Sequence, residues 1–203
     1  MSEISPPPGL RRRRRRADAE RSVAAILDAA ARVLGLRPAA SMEDIAQAAG
    51  VTRQTVYAHF ASRDDLVNAV VDRVTDQAVA AIDAAGLDEL PPADALLRFM
   101  ITGWDAMARY PLLYQALPPV TPETDHDRHQ PILDRLERLV RRGQRSGDFD
   151  PQLPTTWLVA ATIALGHTAG EEVGAGRMQP DEATAALQQG LLRLFRADDH
   201  QPT

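Results

Sequence analysis

Apolar residues recur at three- and four-residue spacing through most of the chain, the period of a helix with one buried stripe. Val23, Ile26, Leu27, Ala30, Val33 and Leu34 form the first stripe and predict a helix from about Asp18 to Leu36, stopped by Arg37-Pro38. Ser41 caps a short helix, Asp44 three residues on favours the same start, and Gly50 ends it. Thr52 caps the next short helix, on which Val56 and Phe60 share a face at i, i+4. With Ile45 and Val51 they are expected to pack against the first helix. Ser62-Arg63-Asp64-Asp65 repeats the Ser-x-x-acid start and opens a long helix to about Ala85. Leu66, Val67, Val70, Val71, Val74 and Val79 point inward on it, and Gly86 closes it.

A second series begins after Pro91-Pro92. A helix of about Ala93 to Arg109 carries Leu96, Leu97, Met100, Ile101, Trp104 and Met107. Tyr110-Pro111 breaks it, and Pro111 suits the first turn of a further short helix. Pro118 to Pro131 reads as a polar, Pro-rich loop. Helices follow at about Ile132–Arg145, Thr155–Val173 and Asp181–Phe195, the last started by Pro180 and two acids. Residues 197–203 read as a frayed tail. No strand pattern and no solenoid-length repeat is present. The expected architecture is all-α.

Composition supports that reading: Ala is abundant and aromatic residues make up 4% of the 203. With no Cys, disulfides and thiolate metal sites are excluded, which suits a reducing cytosol. No apolar run approaches the ~20 residues of a membrane span, and no signal-peptide core follows the basic start. The net charge of −5 averages two unlike parts. Residues 1–63 hold 11 Arg against 6 acids, and residues 64–203 hold 12 Arg against 22 acids. Every basic residue is Arg. A basic front on an acidic chain is the electrostatic footprint of a nucleic-acid contact. Residues 1–16, with Pro6-Pro7-Pro8 and the Arg11–Arg16 run, are expected to be a disordered arm that adds phosphate affinity.

Within the basic front, the 19 residues from Ile45 to Arg63 contain no Asp or Glu. A short helix, a Gly turn and a second helix whose outer face carries only donors is the layout of a helix-turn-helix DNA reader. Arg53 suits a guanine edge and Gln54 an adenine edge; Thr55 and Tyr57 suit phosphate or a thymine methyl. His59 and Arg63 are placed for the phosphates beyond, and Ser41 and Thr52 double as caps at helix starts that attract phosphate. The plain alternative is one more amphipathic helix in a bundle.

At these residues the sequence resembles the tetracycline-repressor (TetR) family of bacterial transcriptional regulators. The matching stretch runs from Ser41 to Leu66, and its ending, Val-Tyr-x-His-Phe-x-Ser-(basic)-(acid)-x-Leu, is specific to that family. The family usually has Lys where Arg63 stands. The motif with the first helix covers about residues 17–70. The resemblance implies a DNA-binding domain over 17–63 and a helical ligand-binding and dimerisation domain over 64–196. It implies a dimer on a double-stranded, pseudo-palindromic operator, released by a small effector. Arg145-Ser-Gly-Asp-Phe-Asp150 followed by Trp157 resembles a weaker family pattern, which makes the last two helices the expected dimer pair. Gly166, Gly170 and Gly174, at four-residue intervals, and Leu187 and Leu191 are the candidate interface residues, with packing inside one subunit as the alternative.

Candidate effector contacts on the second domain are Met100, Trp104, Met107, Tyr114, Trp157 and His167, against ordinary core packing for any one of them. His126 and His129 beside Asp125 and Asp127 fall in the polar loop, so a solvated surface is expected rather than a metal site. No Gly-rich phosphate loop, His-Glu-x-x-His or nucleophile elbow occurs, so no cofactor and no enzymatic activity are expected. The rival class is a helical ligand-binding or protein-interaction module without DNA binding.

Overall fold

A computed structural model describes residues 8–110, 112–118 and 122–196; side chains are described from Ala19 on, except at 107, 108, 114 and 122–126. Eight α-helices follow in order: α1 Pro8–Leu36, α2 Met42–Ala49, α3 Arg53–His59, α4 Arg63–Ala84, α5 Pro92–Ala108, α6 Pro122–Ser146, α7 Thr155–Gly174 and α8 Pro180–Phe195. Short 3-10 turns lie at Leu87–Glu89 and Leu113–Ala116. No strand occurs among the described residues, so the fold is all-α. The chain forms two compact units. The first takes the residues to Arg73 together with Leu112–Pro119; the second takes Val74–Pro111 and the residues from Val120 on. The division falls inside α4, ten residues beyond the boundary expected at 63/64.

In the first unit, α1 packs on α2 and α2 on α3. Ile26, Ala30, Leu34, Ile45 and Val56 are each fully buried, with Phe60 nearly so. Three successive helices start on hydroxyl caps. Ser41 and Asp44 form a capping box: the Asp44 N–H donates to Ser41 Oγ at 3.2 Å, and the Ser41 N–H donates to Asp44 Oδ2 at 2.8 Å. Thr52 Oγ1 accepts from the Thr55 N–H at 3.1 Å, and Ser62 Oγ accepts from the Asp65 N–H at 3.0 Å. Between α2 and α3, Gly50 sits at φ +68°, a left-handed conformation that a Cβ disfavours. The Val51 N–H reaches the Ala46 carbonyl and the Gly50 N–H the Gln47 carbonyl, which satisfies the last carbonyls of α2. Arg73 of α4 pairs with Asp28 of α1 at 2.7 Å.

α1 begins at Pro8, so it takes in the Arg11–Arg16 run that was expected to be disordered. Pro suits the first helical position, Arg has a helix propensity near that of Ala, and like charges at i, i+4 cost only about 0.2–0.5 kcal/mol each. Residues 1–7 of that arm, Pro111 and the tail 197–203 lie outside the described residues.

The second unit packs α5 on α6, α6 on α7 and α7 on α8. Its core gathers Ile82, Leu96, Phe99, Leu136, Val140, Phe149, Leu158, Leu187, Leu191 and Phe195. The Phe149 and Phe195 rings meet edge to face at 4.8 Å. Phe149 presses against Gly143 of α6, where a Cβ would lie 2.2 Å from the ring. The expected loop 118–131 is for the most part helix: α6 starts at Pro122 and runs through Pro131. Interior Pro costs about 3 kcal/mol, and packing of Ile132 and Leu133 on the core and a two-bonded Arg135–Asp83 pair at 2.5 and 2.6 Å offset it.

Gly143→Ala should lower the melting temperature. Overpacking of up to about 3 kcal/mol against a ring held by Phe195 outweighs the ~1 kcal/mol that Ala adds to a helix; an unchanged melting temperature would refute the close packing. Thr52→Ala should destabilise the first unit by about 1 kcal/mol in urea titration. The hydrogen bonds from Ser41, with Arg37 nearby, hold the Asp44 carboxyl below its usual pKa. Its contribution is therefore present above the ordinary carboxylate value and lost as pH falls through the lowered one. Asp44→Asn should flatten that part of the acid-unfolding curve below about pH 4.

Candidate nucleic-acid interface

The face of α3 away from α2 is built by elimination. Val56 is fully buried and Phe60 nearly so, which leaves Arg53, Gln54, Tyr57, Ala58 and His59 exposed. The side chain of Arg53 is 60% exposed, and its guanidinium lies over the Tyr57 ring at 5.3 Å. Tyr57 itself is 41% exposed. Together Arg53, Gln54 and Tyr57 present a fork donor, an amide and a phenol from one short helix, the chemistry that reads base edges in a major groove.

The acid-free run in sequence is not acid-free in space. Glu43, on α2, brings a carboxylate oxygen 4.0 Å from Arg53 Nη1, with both side chains largely exposed. Tyr57 and then Glu43 raise the Arg53 pKa, without consequence near neutrality because a guanidinium is already protonated there. Sequence spacing carried no signal for this pair, because the turn at Gly50 folds α2 back beside α3.

The other predicted contacts divide. Ser41 and Thr52 serve as caps; Thr52 and Thr55 also share a hydroxyl–hydroxyl bond at 2.8 Å, so Thr55 is half-buried and engaged. His59 is exposed at the end of α3, its ring 6.4 Å from that of Phe60. Arg63 turns inward. Its Nε donates to the Ala40 carbonyl at 3.2 Å, Nη2 to the Pro38 carbonyl and Nη1 to the Ala116 carbonyl at 3.5 Å. The guanidinium expected at a phosphate thus bonds three backbone carbonyls in this structure.

The predicted effector residues with described side chains lie on α5 and α7 of the second unit. Met100 and Trp104 are half-buried against the core, whereas Trp157 is 57% exposed on α7 and His167 stands exposed with its ring 6.0 Å from His129. The side chains of Met107, Tyr114 and His126 lie outside those described, and Tyr114 belongs to the first unit. A cavity of about 150 Å³ lies instead along α4 and α5, lined by Val74, Gln77, Thr102, Asp105 and Arg109 among others. Its sequence signal is Thr102, Asp105 and Arg109 at i, i+3 and i+7, on a face of α5 apart from the apolar stripe. Among the described residues no group of three or more His, Asp or Glu could hold a metal.

The candidate interface residues also separate. Leu187 and Leu191 are buried in the unit's own core, because the face of α8 that meets α7 needs its large side chains there. A Cβ on Gly166 would lie 3.4 Å from Met100 Cε, an ordinary contact within the subunit, while Gly170 and Gly174 face open space. The unburied stripe of α7 is Trp157, Ala160, Ala164 and Thr168, and that of α8 is Ala185, Gln189 and Leu192. Among the described residues no helix is long and apolar enough to cross a membrane.

Comparison with known proteins agrees with the α1–α4 geometry. The profile of the family described as "Bacterial regulatory proteins, tetR family" matches residues 26–70. The HTH-type transcriptional repressor LfrR of Mycolicibacterium smegmatis is 31% identical over 180 residues, covering 87% of this chain and 94% of that protein. The crystal structure of LfrR from Mycobacterium smegmatis in complex with proflavine superposes with a TM-score of 0.62 at 28% identity, over 86% of this chain and 97% of that one. The fatty acid degradation regulator FadR from Bacillus halodurans shares the fold, with a TM-score of 0.71 at 20% identity over 85% and 98% of the two chains. The chain belongs to the TetR family and is a helix-turn-helix, DNA-binding transcriptional regulator.

Proposed function

We propose that this regulator is a repressor that binds a pseudo-palindromic operator as a homodimer, one α3 helix in each of two major grooves about 34–36 Å apart. The observation that carries the reading is the exposed Arg53–Gln54–Tyr57 face on a helix that has no acid of its own. Arg53 reads a guanine and Gln54 an adenine; His59 and the helical Arg11–Arg16 run supply phosphate affinity. Glu43 competes with phosphate for Arg53, which discourages non-specific binding more than a two-bonded guanine contact.

The second protomer docks on the unburied stripes of α7 and α8, where Trp157, Ala164 and Leu192 leave apolar surface in water. The effector is a small, largely apolar molecule held by the second unit. Half-buried Trp104 and Met100 support an aromatic ligand, as does the proflavine in the LfrR crystal structure. Effector binding favours an arrangement of the dimer in which the two α3 helices no longer match successive grooves.

Arg53→Ala and Gln54→Ala should each lose about 1–3 kcal/mol of operator affinity while random-sequence affinity changes far less, in titrations at matched salt. Equal losses on both duplexes would remove them from base readout. Glu43→Gln should strengthen random-sequence binding more than operator binding. Trp157→Glu and Ala164→Arg should give monomers by light scattering at micromolar concentration; dimers in both variants would move the interface elsewhere.

A further inference from the structure

We propose that the groove between α4 and α5 is a second ligand site, built for a small zwitterion rather than for the apolar effector. Val74 and Ala106 give it an apolar patch, and Gln77, Thr102, Asp105 and Arg109 give it polar groups. All of them belong to the second unit. Thr102, Asp105 and Arg109 follow at i, i+3 and i+7, so one face of α5 presents all three beside α4. At about 100° per residue, Met100 and Trp104 lie about 160° from Thr102, on the far side of α5. That far side packs on the core of the unit, so the groove is distinct from it. A cavity of about 150 Å³ is the size that admits benzene, so the occupant has about six or seven heavy atoms.

The charge pattern selects the occupant. Asp105 and Arg109 stand four residues apart on one helix, the spacing at which opposite charges pair. Glu137 and Arg141 of α6 do pair at that spacing. Among the described residues, Asp105 and Arg109 join no ion pair and no hydrogen bond. The same holds for Gln77 and Thr102, whereas Thr162 of α7 returns its hydroxyl to the Leu158 carbonyl at 2.7 Å. The groove thus offers a cation, an anion, an amide and a hydroxyl around an apolar patch. Arg109 presents a two-bonded fork to a carboxylate, and Asp105 accepts from an ammonium. A neutral apolar molecule would leave both charges without partners, and an ion of one sign would meet its like on one side. A carboxylate and an ammonium joined by a short carbon chain satisfy both charges and cover Val74 and Ala106. The ligand class is therefore a small free amino acid. This site does not rest on the operator reading above.

The experiment is calorimetric titration of the full chain without DNA. The probes are L-alanine, β-alanine and 4-aminobutyrate, with propylamine and propionate as controls that carry one charge each. At least one zwitterion should bind at millimolar concentration or below, and about tenfold or more tightly than either control. Asp105→Asn and Arg109→Gln change exposed side chains, so both variants should fold, and each should weaken that binding about tenfold. Trp104→Phe, on the far side of α5, should leave it unchanged. No binding of any of the three zwitterions would overturn the proposal, as would controls that bind as tightly. Unchanged affinity in both charge variants would overturn it too. A loss in Trp104→Phe that matches the loss in the charge variants would move the ligand to the effector face and would also overturn it. If the unaltered protein bound no duplex, the operator reading would fail, and these titrations would still decide the groove.

Discussion

The left-handed turn at Gly50 is the constraint on which the reading surface depends. A residue with a Cβ pays strain at φ +68°, so glycine makes the reversal between α2 and α3 accessible. The turn ends α2 with its carbonyls satisfied, and the chain leaves it directly into the Thr52 cap of α3. Only then are Ile45 on α2 and Val56 on α3 fully buried, and only then do Arg53, Gln54 and Tyr57 face outward. The same turn brings Glu43 beside Arg53.

Arginine does much of the remaining joining. Arg142 of α6 donates to the carbonyls of Leu87, Asp88 and Leu90, in the connection between α4 and α5, as Arg63 does in the connection between α1 and α2. Both ends of such connections carry acceptors that no helix satisfies, and burying them bare costs about 1–3 kcal/mol each. In a chain with 23 Arg and no Lys, the fork geometry is available at every cationic position. Positive charge on this protein therefore has two uses, polyanion affinity and the closing of turns, and residue type alone does not separate them.

Local signals were the legible ones. The caps at Ser41, Thr52 and Ser62, the stop at Gly50 and the apolar stripes of α4, α5, α7 and α8 each depend on residues a few positions apart, and the structure has them within one or two residues of the expected bounds. Pro131 locally favours a break, whereas the packing of half-buried Ile132 and Leu133 on the core and the Arg135–Asp83 pair carry the helix through it. In the Arg11–Arg16 run the helix propensity of Arg outweighs the repulsion between like charges. At the candidate site, exposure of Arg53, Gln54, Tyr57 and His59 followed from the helical period alone. The inward turn of Arg63 did not, since its acceptors at Pro38, Ala40 and Ala116 lie 23 to 53 residues away.

By itself, then, the sequence determined the helices that carry a clear apolar stripe, the caps at Ser41, Thr52 and Ser62 and which side of α3 meets water, because those follow from 3.6-residue periodicity and from hydrogen bonds within one turn. Tertiary structure alone decided which charges stand free and which stretches of chain share a unit. It set Glu43 against Arg53, put Leu187 and Leu191 in the core rather than at a surface, and drew the 112–118 segment into the reading unit. Each of these depends on residues distant in sequence competing for the same neighbour, and long-range packing and carbonyl satisfaction settle that competition.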